Sequence, residues 1–240
     1  MLAIYRYEWK RLWQSNKLTA PFVILLVWIF VADTIAPLSI LSTFSICSLV
    51  LFFIMVIAGL KYGELDGRMT DQCIYARIDR KHKFYLARVL VMATVAAGMT
   101  VIAEGLPLLL HLINNFSLFD RPVVESDILS GMLLFFLTGL CGGIAGIFIN
   151  ARICSRREIA MLIAPLFAIA SCVKIAIVSE VPILKYVLWI LPPISDLGAS
   201  YCQDTFFSMQ SSGPYFLWLV AYIIVLTAAY DAIMIRRAFE

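Results

Sequence analysis

Six stretches of the chain, at roughly residues 18–37, 40–60, 88–113, 128–149, 158–178 and 215–235, are apolar for long enough to cross a lipid bilayer. A hydrocarbon core of about 30 Å takes about 20 helical residues, so each run predicts one transmembrane helix. Ahead of them, Leu2, Tyr5, Trp9, Leu12 and Trp13 recur at helical spacing, with Arg6, Lys10 and Gln14 on other faces. Residues 1–17 therefore predict an amphipathic helix lying in the membrane interface. Tyr5, Trp9 and Trp13 are its anchors at headgroup depth, and its basic residues meet anionic lipid. A cleavable signal peptide is the competing reading. The long charged region, its two tryptophans and the missing small-residue cleavage site argue against it.

The segments between the runs orient the chain. With the amino terminus inside, the inner segments hold 16 of the 19 Lys and Arg residues, among them Lys61, Arg68, Arg77, Arg80, Lys81, Lys83 and Arg88 between runs two and three. The outer segments hold Arg121 and Lys185, and Lys174 lies inside the fifth run. Positive loops stay on the cytoplasmic side. The expectation is a multi-pass plasma-membrane protein with both termini cytoplasmic. The outer stretch 179–214 alternates apolar and polar residues and is broken by Pro182, Pro192 and Pro193, which predicts short interfacial or re-entrant helices in place of another span.

Composition agrees: 62% of the 240 residues are hydrophobic and 15% charged, far from the usage of soluble domains. The predicted fold class is an all-α polytopic membrane protein, one domain over residues 1–240, with no room for a separate soluble catalytic domain. A net charge of +3 gives no support to nucleic-acid binding. His82 and His111 have no metal-ligand spacing, no serine or cysteine is set with a base, and no glycine-rich loop leads into a lysine and hydroxyl residue. Any ATP and Mg must be held by another polypeptide, and this chain binds no cofactor. The six cysteines read as small buried hydrophobes, with Cys202 alone on the outside and so without an intrachain partner there.

Three ionisable residues fall inside runs. Glu104, the deepest, suits a contact to a cationic substrate, a proton carrier, or a packed, hydrogen-bonded carboxyl. Lys174 is expected to snorkel outward, and Asp231 to meet Arg236 or a partner's basic group. Gly139, Gly142, Gly143 and Gly146 make two overlapping four-residue spacings in run four, a pattern for close helix packing within one chain or between chains.

The longest polar segment, 61–88, opens with Glu64, Asp66, Gly67 and Thr70, carries the small apolar face Ile74, Tyr75 and Ile78, and returns through Arg80, Lys81 and Arg88. Taken alone it reads either as a solvated basic loop on lipid headgroups or as a short helix that docks into a groove on another protein. With the amphipathic amino terminus, six runs and the outer Leu191-Pro192-Pro193-Ile194-Ser195 segment, it resembles the membrane subunits of type-2 ABC exporters over nearly the full chain. The proline common before that family's basic return is replaced here by Arg77-Ile78-Asp79.

The resemblance implies half of a translocation pathway, paired with an identical or related permease chain and docked on cytoplasmic ABC ATPase subunits that carry ATP and Mg. It further implies a coupling helix around Asp66 to Arg77, with Glu64, Asp66, Asp71 and Arg77 as polar docking contacts and Ile74 and Tyr75 as apolar ones. The expected cargo is a peptide or an amphipathic, lipid-like molecule. A haem-handling permease is a narrower alternative, which the histidine supply does not favour. The competing classes are a proton-coupled secondary transporter using Glu104 and a non-transporting immunity or scaffold protein.

Overall fold

The computed structural model describes residues 1–33, 39–65, 81–114, 118–149, 157–203 and 206–236. Its elements are helical: α1 (Leu2–Gln14), α2 (Thr19–Asp33), α3 (Ile40–Gly63), α4 (His82–Ile113), α5 (Glu125–Phe148) and α6 (Arg157–Glu180), then a 3-10 turn (Pro182–Leu184), α7 (Lys185–Leu188), α8 (Ile194–Tyr201) and α9 (Met209–Arg236). Five of them, α3, α4, α5, α6 and α9, are long and apolar enough to cross a bilayer, as expected of a multi-pass membrane protein. The α1–α2 pair, bent by 69°, makes a sixth if taken as one span. Within the first apolar run, α2 has 15 residues, Thr19–Asp33, about 22 Å of helix, and the rest of the run, 34–37, lies outside the described residues.

The bend has a local cause. Asn16 sits at φ 53°, in the left-handed region that asparagine tolerates better than most other side chains do, and turns the chain between α1 and α2. Just before it, Ser15 donates from both its backbone N–H and its hydroxyl to carbonyls of the last turn of α1 and closes the helix.

Helices also run beyond the apolar stretches. The sequence places the third span from Arg88, whereas α4 begins six residues earlier, because Phe84 and Tyr85 continue the buried face at 1% exposure each. The last helix starts at Met209, not after Pro214. Ser212 and Gly213 are buried there, and Pro214 falls in the second turn.

α3 and α5 form the centre, with 67% of the most apolar window of each buried, against 22% for α6 and α9, which lie at the periphery. Glycine makes the central contact possible. A side chain begun at Gly146 would lie 2.2 Å from the Val56 carbonyl oxygen, one at Gly142 2.6 Å from that of Phe52, and one at Gly59 of α3 2.3 Å from that of Gly143. Where lipid and side chains are equally apolar, such close approach supplies the dispersion contacts that hold helices together.

Candidate functional site at the charge-rich end of the bundle

The start of α2, α4 and α6 and the end of α3, α5 and α9 share one end of the molecule, and α1 lies across it. Four polar linkages gather there. The first is buried: Tyr62 of α3 donates its hydroxyl to Glu8 Oε2 at 3.0 Å, while Arg88 Nε of α4 lies 3.6 Å and Arg11 Nη1 3.9 Å from Glu8 Oε1. Glu8 is 1% and Arg88 2% exposed, and the Arg88 guanidinium stacks over the Phe84 ring at 4.6 Å. A carboxylate and a guanidinium together can stay charged at this depth, where either alone would be costly. The set pins α1 to α3 and α4.

The second linkage is bidentate. Arg157, at the first position of α6, donates from Nε to Glu64 Oε1 at 3.0 Å and from Nη2 to Oε2 at 3.1 Å, and Lys61 adds a contact at 3.3 Å. Burial raises the Glu64 carboxyl, but the Arg157 hydrogen bonds and the Lys61 charge outweigh it and hold the group below its ordinary 4.5. A lowered carboxyl keeps its ion pair, and the stability it adds, above pH 4.5, and loses both as pH falls through the lowered value. Wild-type protease protection at the α3 and α6 ends should therefore hold at pH 6 and drop as the pH falls below 4.5 through the lowered carboxyl value. In Arg157→Gln that drop should move toward ordinary carboxylate titration.

Third, Lys17 donates from Nζ to the Lys61 carbonyl at 3.4 Å and joins the start of α2 to the end of α3. Fourth, His82 at the start of α4 pairs with Asp231 of α9, and one turn on Tyr85 donates to the Met234 carbonyl at 3.1 Å.

Of the expected docking residues only Glu64 is described, and its carboxylate is engaged within the chain. Asp66, Asp71, Ile74, Tyr75 and Arg77 lie outside the described residues. Three expectations change. Arg88, assigned to the basic loop, is a buried helical residue facing Glu8. Asp231 meets His82, not Arg236. Lys174, expected to snorkel to the outer interface, is buried and ends in an ion pair with a residue of the outer stretch: it donates to Asp196 at 2.7 Å and ties α6 to α8. Sequence reading also missed Glu8, Tyr62 and Arg157. A signal for Glu8 was present: it precedes the buried Leu12 by four residues, so both share one helix face.

The anchors Tyr5, Trp9 and Trp13 stack in series along α1, with centroids 6.4 and 6.3 Å apart. Gly142 and Gly146 press on the α3 backbone, a side chain begun at Gly143 would meet the Met92 methyl group at 2.9 Å, and one begun at Gly139 would meet nothing closer than 3.6 Å, which leaves room for a methyl group. Toward the far end of the bundle, Glu104 is 3% exposed, lies beside Phe44 and Gly131, and has no hydrogen-bond partner for either carboxylate oxygen among the described residues. There too, Asp127 at the start of α5 takes a two-pronged pair from Arg121 at 2.7 and 3.0 Å. No group of three or more potential metal ligands occurs among the described residues. Compared with known protein families, curated proteins and solved structures, the chain matches none.

Proposed function

We propose that this chain is the membrane-spanning permease subunit of an ATP-driven ABC exporter, moving a peptide or an amphipathic, lipid-like molecule. The observation that carries this reading is how the ends of segment 66–80 are tied. Glu64 on one side is paired to α6, and His82 and Arg88 on the other are paired to α9 and α1. A partner gripping that segment from the cytoplasm would pull on three helices besides the two the segment joins. Docking drives a transport cycle only by favouring one arrangement of helices over another, and such ties give a docked ATPase that leverage. ATP and Mg belong to that partner, and a second permease chain, identical or related, completes the pathway. The positive-charge asymmetry supports the part of this reading that has this end, with both termini, on the cytoplasmic side of the plasma membrane.

Co-purification of the full-length chain with an ABC ATPase, and ATP hydrolysis by the pair, test the reading. Reversing charge at Asp71 and Arg77 should weaken association at least tenfold and uncouple hydrolysis from transport. Assembly and hydrolysis unchanged by both reversals would refute the docking assignment. A second reading is favoured by one observation, the unpartnered Glu104 carboxylate. It makes the chain a proton-coupled transporter, and transport that continues without ATP but stops in Glu104→Gln would decide for it.

A further inference from the structure

Beneath the α1–α2 elbow lies an open groove of about 380 Å³. Trp9 and Trp13 form one wall, Phe22 of α2 another, and Thr94, Gly98 and Met99 of α4 the floor. A volume at the low end of the range for small-molecule sites, with a mostly apolar lining, suits one hydrocarbon chain. Two features shape it. The 69° bend lifts α1 away from the axis of α2, and Gly98 leaves the floor bare, with nothing within 4 Å of where its side chain would start.

The edge of α1 beside the groove is cationic. Arg6 and Lys10, both exposed, stand three residues before Trp9 and Trp13, on the flank of the face that carries the indoles. The one acid of that helix, Glu8, is turned inward to Tyr62 and Arg88 and does not cancel them, while Lys17 is turned to α3. Stacked indoles at headgroup depth, an apolar slot below and two exposed cations on the adjoining flank of α1 match the parts of one anionic phospholipid.

We infer that the elbow groove is a binding site for an anionic phospholipid of the adjoining leaflet, with one acyl chain lying over Gly98 and the phosphate between Arg6 and Lys10. This rests on the chain spanning a membrane and not on ATPase docking, so it stands or falls separately from the exporter reading.

Native mass spectrometry of the full-length chain in detergent, titrated with phosphatidylglycerol or phosphatidylcholine, reads the site directly. The wild-type chain should retain one phosphatidylglycerol more tightly than phosphatidylcholine. Gly98→Leu, which fills the groove, should lower that affinity at least tenfold with a melting temperature no lower than that of the wild type. Gly105→Leu, at a glycine of the same helix also without near neighbours and outside the groove, should bind as wild type. Arg6→Gln with Lys10→Gln should erase the preference for the anionic headgroup, roughly fivefold per charge, and leave phosphatidylcholine binding intact. Equal retention of the two lipids by the wild-type chain, undiminished binding in Gly98→Leu, or retention of some other amphiphile in place of phosphatidylglycerol would overturn the assignment.

Discussion

Gly146→Leu should prevent the folded chain from accumulating, and Gly146→Ala should already lower its stability by about 3 kcal/mol or more. A methyl group there begins 2.2 Å from the Val56 carbonyl oxygen, 2.8 Å from the Leu60 backbone nitrogen and 2.9 Å from the Gly59 α-carbon. All three are backbone atoms of α3, so no rotamer change relieves the overlap and the two central helices must separate along their length. In a membrane that separation forfeits close dispersion contact with little hydrophobic compensation, because lipid is as apolar as the side chains it replaces. Two substitutions make the comparison sharp. Gly139→Ala, in the same glycine stripe, meets nothing closer than 3.6 Å and should be tolerated, and Gly98→Ala, facing open space, should add roughly 0.5–1 kcal/mol of helix stability. Thermal unfolding in detergent ranks the three. Equal melting temperatures for Gly146→Ala and Gly139→Ala would mean that α3 and α5 do not meet as described.

Glu8→Ala should cost about 3–5 kcal/mol, the range for removing one member of a buried ion pair. The loss takes the carboxylate away from a guanidinium that is 2% exposed and from the Tyr62 hydroxyl at 3.0 Å. Tm should fall by on the order of 10 °C, and the start of α1 should become open to protease. Glu8→Gln should cost less, since an amide oxygen still accepts from Tyr62. Combining Glu8→Ala with Arg88→Met should recover part of the deficit, because the double substitution removes the uncompensated charge along with its partner. If the double variant is no more stable than the sum of two independent losses, Glu8 and Arg88 are not coupled and α1 is held by its apolar face alone.

The two variants probe different levels of the architecture. Gly146 acts where α3 and α5 define the core, while Glu8 acts where α1 closes over the charge-rich end. A chain with Gly146 intact and Glu8 removed should keep its bundle and release α1 from α3 and α4. Lipid retention in the groove should then fall together with the protection of α1.

By itself the sequence determined that the chain is helical, crosses a membrane several times and begins with an amphipathic helix, because those properties follow from run length and 3.6-residue periodicity, which are local. It also singled out Gly139–Gly146 as a packing stripe, but not that Gly142 and Gly146 meet carbonyls while Gly139 has space. That difference depends on which residues of α3 stand opposite. The same limit hid the charge-rich end. Glu8, Tyr62 and Arg88 are far apart in the chain, and Arg88 belongs by composition to a basic loop. Only the packing of α1 across α3 and α4 puts a carboxylate beside that guanidinium, which lets both remain buried. Helix ends were misplaced for a related reason: Phe84 and Tyr85 sit among charged neighbours that lower local hydropathy, and their burial is decided by α9 and α1, not by adjacent residues. Ion pairs such as Glu64 with Arg157 and Lys174 with Asp196 likewise join elements whose proximity no sequence window contains, so their formation is a property of the assembled bundle.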